Sequence, residues 1–189
     1  MKFASRLAVG LLFVALSASS ARAESGTVGI VAGAVGARVS PPDTGESITM
    51  TPSIVVGVYA VIPILKSVSF EPELLYVQKY SRRALGSTTT DLQIDYVEVP
   101  LLAKMPLFWG TYITEGVSLG FPLKMQGFAP SLGQITSPDV AIVIGGGYDI
   151  RKRLALEFRY DGGLRRVSKI DTALPQRTRA FMVLAKLHF

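Results

Sequence analysis

From Leu154 to Asp161 the chain alternates in unbroken steps of two. Leu154, Leu156, Phe158 and Tyr160 fall on one side, and Ala155, Glu157, Arg159 and Asp161 on the other. That repeat belongs to an extended strand with two unlike faces, because successive side chains of a strand point to opposite sides. Seven other segments read the same way. Thr27 to Val39 is Gly-rich, with Val28, Ile30, Ala32 and Ala34 alternating, and Met50 to Ile62 sets Ile54, Val56, Val58, Ala60 and Ile62 on a shared face. Ser67 to Tyr80 places Phe70, Pro72, Leu74 and Tyr76 opposite Glu71 and Glu73. Leu92 to Met105 places Val97, Val99, Leu101 and Ala103 opposite Glu98 and Lys104. Trp109 to Leu123 and Asp139 to Ile150 are the fifth and sixth. In the last, Phe181, Val183, Ala185, Leu187 and Phe189 lie against Lys186 and His188.

The connections between these strands alternate in length. Ser40 to Thr49, Ser81 to Asp91, Lys124 to Pro138 and Gly162 to Gln176 are long and polar. Pro63 to Lys66, Pro106 to Phe108 and Arg151 to Arg153 are short. Long loops at one end and tight turns at the other, on strands of roughly 9–11 residues or more, are the pattern of a transmembrane β-barrel. The predicted fold is all-β: an eight-stranded antiparallel up-and-down transmembrane barrel. In hydrocarbon an open sheet edge would leave backbone groups unpaired, so the first and eighth strands must join. Phe108, Trp109 and Tyr112 gather at a short turn and read as part of an aromatic girdle. For Trp109 the alternative is a buried anchor.

The first 23 residues change the picture of location. Lys2 and Arg6 form a basic start, Leu7 to Leu16 an apolar run, and Ala21-Arg22-Ala23 a small-x-small cleavage site. A run of about ten residues is half of what a membrane helix needs. Residues 1–23 are therefore expected to be a cleaved signal peptide and residues 24–189 the barrel domain. The leader holds three of the 20 basic residues and none of the 14 acidic ones. The mature chain keeps 17 basic residues, a net +3 instead of +6, which is poor support for nucleic-acid binding. Cysteine is absent, which removes disulfides, thiolate metal sites, cysteine nucleophiles and lipoprotein processing. A mean hydropathy of +0.37 without a membrane helix fits strands whose outer faces meet lipid.

Two strands carry a more specific likeness. Tyr96-Val97-Glu98-Val99-Pro100-Leu101-Leu102-Ala103-Lys104 and Phe70-Glu71-Pro72-Glu73-Leu74-Leu75-Tyr76 resemble strands of the PorT-like outer-membrane β-barrel domain. Gly145 to Ile150 and Leu156 to Tyr160 are similar to its sixth and seventh strands. The resemblance implies an eight-stranded barrel in the outer membrane of a Gram-negative bacterium, with no defined activity. The terminal strand ending in Phe189 resembles the signal read by the barrel-assembly machinery. Glu115 departs from the family pattern, since it falls on the side that Ile113, Val117 and Leu119 turn to lipid. Either it lies near an interface or the register slips there.

The inward faces collect Glu71, Glu73, Glu98, Lys104, Glu157, Arg159, Lys186 and His188. An eight-stranded barrel has room for little besides its own side chains, and an isolated buried charge is costly. These residues are expected to pair in an interior network, a narrow polar channel being the alternative. Glu71 and Glu73, offset by two on one strand, fit that role better than acid–base catalysis. His188 is the only histidine and stands one residue from the end. A serine hydrolase acting at the loop rim cannot use it, and one histidine makes no His-based metal centre. Gly145-Gly146-Gly147 lacks the following Lys-Ser/Thr of a phosphate loop. No catalytic, cofactor or metal site is expected.

The long loops remain. Arg82 and Arg83 lie in the second, and Arg165, Arg166, Lys169 and Arg177 in the fourth. Arginine suits bidentate contact with phosphate, so these are candidate contacts to lipopolysaccharide or to an acidic protein surface. The alternative is ordinary solvated charge. The expected partners are outer-membrane lipid, lipopolysaccharide and the assembly machinery. The reading is a small non-enzymatic outer-membrane barrel with a filled interior, acting structurally or through basic external loops. A lipid-modifying barrel enzyme and a soluble lipocalin-like periplasmic barrel are the competing readings.

Overall fold

The structure, a computed structural model, describes residues 26–40, 46–85, 88–127, 137–151, 153–164 and 177–189. The expected leader lies outside the described residues. Eight strands, each antiparallel to its neighbours, close into one barrel in sequence order. They are β1 (Thr27–Ser40), β2 (Glu46–Leu65), β3 (Val68–Leu85), β4 (Thr88–Pro106), β5 (Thr111–Gly127), β6 (Asp139–Arg151), β7 (Leu154–Gly163) and β8 (Arg177–His188). Closure runs from Gly29 opposite His188 to Ser40 opposite Arg177. The start of β1 and the end of β8 therefore share one rim, here called the terminal rim, where the Phe189 N–H donates to the Val28 carbonyl at 2.9 Å. The short turns from β2 to β3, β4 to β5 and β6 to β7 stand at this terminal rim, and the other connections, of residues 41–45, 86–87, 128–138 and 164–176, belong to the far rim.

Period two in the sequence becomes inside and outside in space. Glu71, Glu73, Glu98, Glu157, Arg159 and Lys186 are buried in the lumen, while Ile54, Val56, Ile144, Phe158, Phe181 and Val183 are exposed on the outer wall. This is the inverse of a soluble ligand-binding barrel, whose apolar side chains line the cavity. The lumen itself has two halves. Val31, Val35, Val55, Leu75, Val77, Met182 and Leu184 form an apolar cluster on the β1, β2, β3 and β8 side. Charged side chains share the rest with Tyr96, Leu102, Tyr112 and Val143.

Three sequence expectations are corrected. The segment Ser81 to Asp91 is not a long loop: β3 and β4 continue as a hairpin, pairing Arg82 with Asp91 and Leu85 with Thr88. β-Branched Thr88, Thr89 and Thr90 favour extended backbone, and opposite charges face each other across the ladder. Trp109 does not begin β5. Its φ of 57° and that of 78° at Gly110 belong to a left-handed turn, so the strand starts at Thr111. Trp109 is 86% exposed and packs edge-on against Phe108 at 5.0 Å, at the rim and not in a core. Tyr112 turns inward, 2% exposed, and belongs to the lumen instead of a girdle.

The register does not slip at Glu115. It pairs with Ala103 on β4 and Ile144 on β6 in unbroken ladders, and its side chain is exposed on the outer wall. The irregularity between β4 and β5 comes higher, at Asp95 and Tyr96.

Strand length is unequal around the ring. β2 to β5 have 17 to 20 residues and β6 to β8 have 10 to 13. Among the described residues, β5 beyond Gly120 pairs only with β4. A four-stranded sheet thus rises above the closed ring at the far rim.

Candidate functional site

The lower lumen, toward the terminal rim, is organised around Lys186. Its ammonium lies 2.6 Å from Glu71 Oε1, 2.8 Å from Glu73 Oε1 and 2.7 Å from Glu157 Oε2. An ammonium has three N–H donors, and each meets a different carboxylate from strands β3 and β7. Arg159 closes the cluster from above. Its fork holds both oxygens of Glu73, at 2.7 and 2.9 Å, and reaches Glu157 Oε1 from Nε and Nη2 at 2.9 and 2.6 Å. Lys104 lies 3.9 Å from Glu71 Oε2 and sits over the Tyr112 ring at 3.7 Å. Three carboxylates and three cations are matched.

Neutral side chains complete this layer. The Tyr112 hydroxyl and the Thr114 hydroxyl donate to the two oxygens of Glu157, at 3.2 and 3.3 Å. Room for them comes from β6. A Cβ on Gly147 would run into the Tyr112 ring, and one on Gly145 would meet Thr114 Oγ1 at 2.5 Å. The glycine run Gly145 to Gly147 is the negative of those two side chains. Below, the Tyr59 hydroxyl and His188 Nδ1 lie 2.6 Å apart, and His188 Nε2 is 3.8 Å from Asp149. The single histidine is thus engaged at the terminal rim.

The upper lumen is built differently. Lys79 pairs with Glu98 at 2.6 Å and stands over the Tyr96 ring at 4.8 Å. Asp95, Asp139 and Asp161 are buried at the same end. Thr178 lies 3.4 Å from Asp139, and Gln93 donates to Asp95 at 2.9 Å. Among the described residues, acidic groups outnumber basic ones here. No hydrogen-bond partner reaches Tyr96 Oη, Glu98 Oε2, Ser118 Oγ or Asp161 Oδ1 among the described residues. The cavity beside Lys79, Tyr96 and Thr178 measures about 10 Å³, roughly the space of one water.

Of the eight residues read as inward, Glu71, Glu73, Lys104, Glu157, Arg159 and Lys186 are buried in the lower cluster and Glu98 in the upper, while His188 is half-buried at the terminal rim. Sequence reading passed over Tyr59, Lys79, Tyr112, Thr114 and Asp139 in the lumen. Lys79 and Asp161 continue the inward parity of Glu71 and Glu157, a signal already present in the alternation. Of the six loop cations, Arg82 is held by Asp91 at 2.8 Å. The guanidinium hydrogen bond keeps that exposed carboxyl below the usual carboxylate range. Arg83 and Arg177 stand in β3 and β8 at the far rim, and Arg165, Arg166 and Lys169 lie outside the described residues.

No family model matches the chain, and no curated protein is significantly similar to it. Solved structures do share the architecture. Ail, the attachment invasion locus protein of Yersinia pestis, superposes with a TM-score of 0.50 at 13% identity, over 87% of this chain and 99% of that one. Ail in complex with the heparin analogue sucrose octasulfate gives 0.51 over the same shares, also at 13% identity. The outer membrane protein OprG from Pseudomonas aeruginosa gives 0.48 at 10% identity, over 87% and 94%. At such identities the likeness is one of fold. The chain has the fold of a small eight-stranded outer-membrane barrel.

Proposed function

We propose that the chain is a small integral protein of a Gram-negative outer membrane, non-enzymatic, whose lumen is plugged and whose work is binding at the far rim. The observation that carries this reading is the pairing of an apolar outer wall with a lumen closed by Lys186, Arg159 and their carboxylates. Such a wall suits hydrocarbon, and such a plug leaves no path for solutes. The PorT-like strand motifs and the expected leader support the same location. A lipid-modifying activity would need a nucleophile and base at the far rim, and the only histidine is engaged with Tyr59 at the opposite one.

Binding is assigned to anionic surfaces. Arg83 and Arg177 stand in β3 and β8 at the far rim, Arg165, Arg166 and Lys169 belong by sequence to the connection between β7 and β8, and arginine forks match phosphate or sulfate. Lipopolysaccharide phosphates and acidic protein surfaces are the proposed partners.

The experiment begins with mature chain folded into detergent micelles, read by heat-dependent gel mobility and a β-rich circular dichroism spectrum. Folded barrel is then titrated with lipid A vesicles and with sucrose octasulfate at two salt concentrations. Salt-sensitive binding that falls when Arg165, Arg166 and Lys169 are changed to Gln supports the reading. A chain that is soluble and monomeric without detergent, or binding indifferent to those changes, overturns it.

A further inference from the structure

Away from the rims, Glu115 is the one acidic or basic side chain on the outer face among the described residues. It stands four residues along β5 from Thr111 at the terminal rim. With a rise of about 3.4 Å per residue and a tilt of about 40°, that is about 10 Å from the terminal rim along the barrel axis. Ile113 and Val117 flank it along the strand, both exposed, and Ala103 and Ile144 flank it across the ladders. It lines an open depression of about 500 Å³ in the outer wall, bounded by Phe70, Ala103, Gly116, Val117 and Ile144.

Ionisable groups facing lipid are rare and mark contacts. An isolated carboxylate in hydrocarbon is costly, whereas a carboxylic acid carries one O–H donor and one C=O acceptor. Two such acids side by side satisfy each other. A lipid ammonium sits at headgroup level, about 10 Å away, and does not meet the group. A two-fold axis along the membrane normal carries every residue to the same depth in the second copy. A second copy of this chain is therefore a partner that necessarily brings the matching group to this level.

We infer that the Glu115 depression is the contact between two copies of this barrel, closed by a reciprocal Glu115–Glu115 carboxyl pair within the β4 to β6 wall. The inference rests on the membrane reading, and its test keeps the two apart. Because the chain has no cysteine, single cysteines report cleanly. Ala103→Cys marks the proposed contact and Val183→Cys, on β8, marks another part of the wall. Both are placed in full-length barrel reconstituted in lipid vesicles, oxidised, and scored for cross-linked dimer. Dimer association is measured in the same vesicles by energy transfer between labelled copies.

The expected result is cross-linking at position 103 and not at 183. Glu115→Leu weakens association about tenfold, on the scale of membrane polar pairs, and Glu115→Gln, which still donates and accepts, retains it. Equal cross-linking at both positions, dimers that survive Glu115→Leu, or wild-type monomers throughout would overturn the inference. Heat-dependent mobility of each variant reports the barrel independently. Its loss in wild type would sink the membrane reading, and its retention with no dimer would sink this inference alone.

Discussion

The two levels of the lumen use the same residue types to different ends. In the lower level three carboxylates face three cations, and Lys186 spends each of its donors on a separate carboxylate. In the upper level Lys79 answers Glu98, while Tyr96, Glu98 and Asp161 each keep a polar atom without a hydrogen-bond partner among the described residues, against the single Glu71 Oε2 in the lower level. The difference follows from the number of cations set among the carboxylates. A buried ion pair is tolerable only when its remaining hydrogen bonds are satisfied, and in the lower level three cations reach most of the carboxylate oxygens. The lower level is a matched plug, and the upper level, among the described residues, is a sparser set of pairs.

Breaking the plug has the largest expected effect. Lys186→Met leaves Glu71, Glu73 and Glu157 facing one another, and removing one partner of a buried network costs about 3–5 kcal/mol. Urea unfolding in micelles, followed by tryptophan fluorescence and gel mobility, reads the loss. Lys79→Met in the upper level should cost less, about 1–3 kcal/mol, because it strands the one carboxylate Glu98 where Lys186→Met removes a cation shared by three. Equal losses from the two substitutions would erase the distinction between the levels.

A backbone substitution sharpens the same contrast. Gly147→Ala pushes a methyl into Tyr112 and should cost about 1–3 kcal/mol by overpacking. Its neighbour Gly146 meets nothing nearer than the Tyr112 carbonyl oxygen at 3.6 Å, so Gly146→Ala should be neutral or slightly stabilising. The smallest effect lies outside both levels. Arg82→Ala at the exposed hairpin should leave the unfolding midpoint unchanged at pH 7, as exposed pairs contribute little. Because the Asp91 carboxyl is lowered on folding, whatever the pair adds is present above the ordinary carboxylate pKa of about 3.9. It disappears as pH falls through the lowered value. A carbon-13 titration of the Asp91 carboxyl checks the direction.

The contrast was half legible in the chain itself. Alternation in β3, β4, β7 and β8 assigned the wall and the lumen correctly, because an inward charge and an outward aliphatic one residue apart admit a single facing. The count of eight strands followed from loop spacing. Neither signal fixes where a strand ends, and the hairpin from Ser81 to Asp91 was hidden by its polar composition. Tyr112 was misplaced because aromatic residues serve both girdle and lumen, although the outward reading of Ile113, Val117 and Leu119 already turns its neighbour Tyr112 inward. The pairing of Lys186 with carboxylates of β3 and β7 depends on the closed ring, which brings β3 and β8 face to face across the lumen. No local pattern announces it.

Conductance tests the plugged lumen most directly. Purified wild-type barrel is inserted into a planar lipid bilayer and recorded at 1 M KCl, with Lys186→Met and Arg159→Met in parallel. A plugged barrel gives insertion without steady unitary currents in wild type, and openings that emerge only when the Lys186 and Arg159 cluster is broken. Stable wild-type openings of constant size would contradict it and make the lumen a pore.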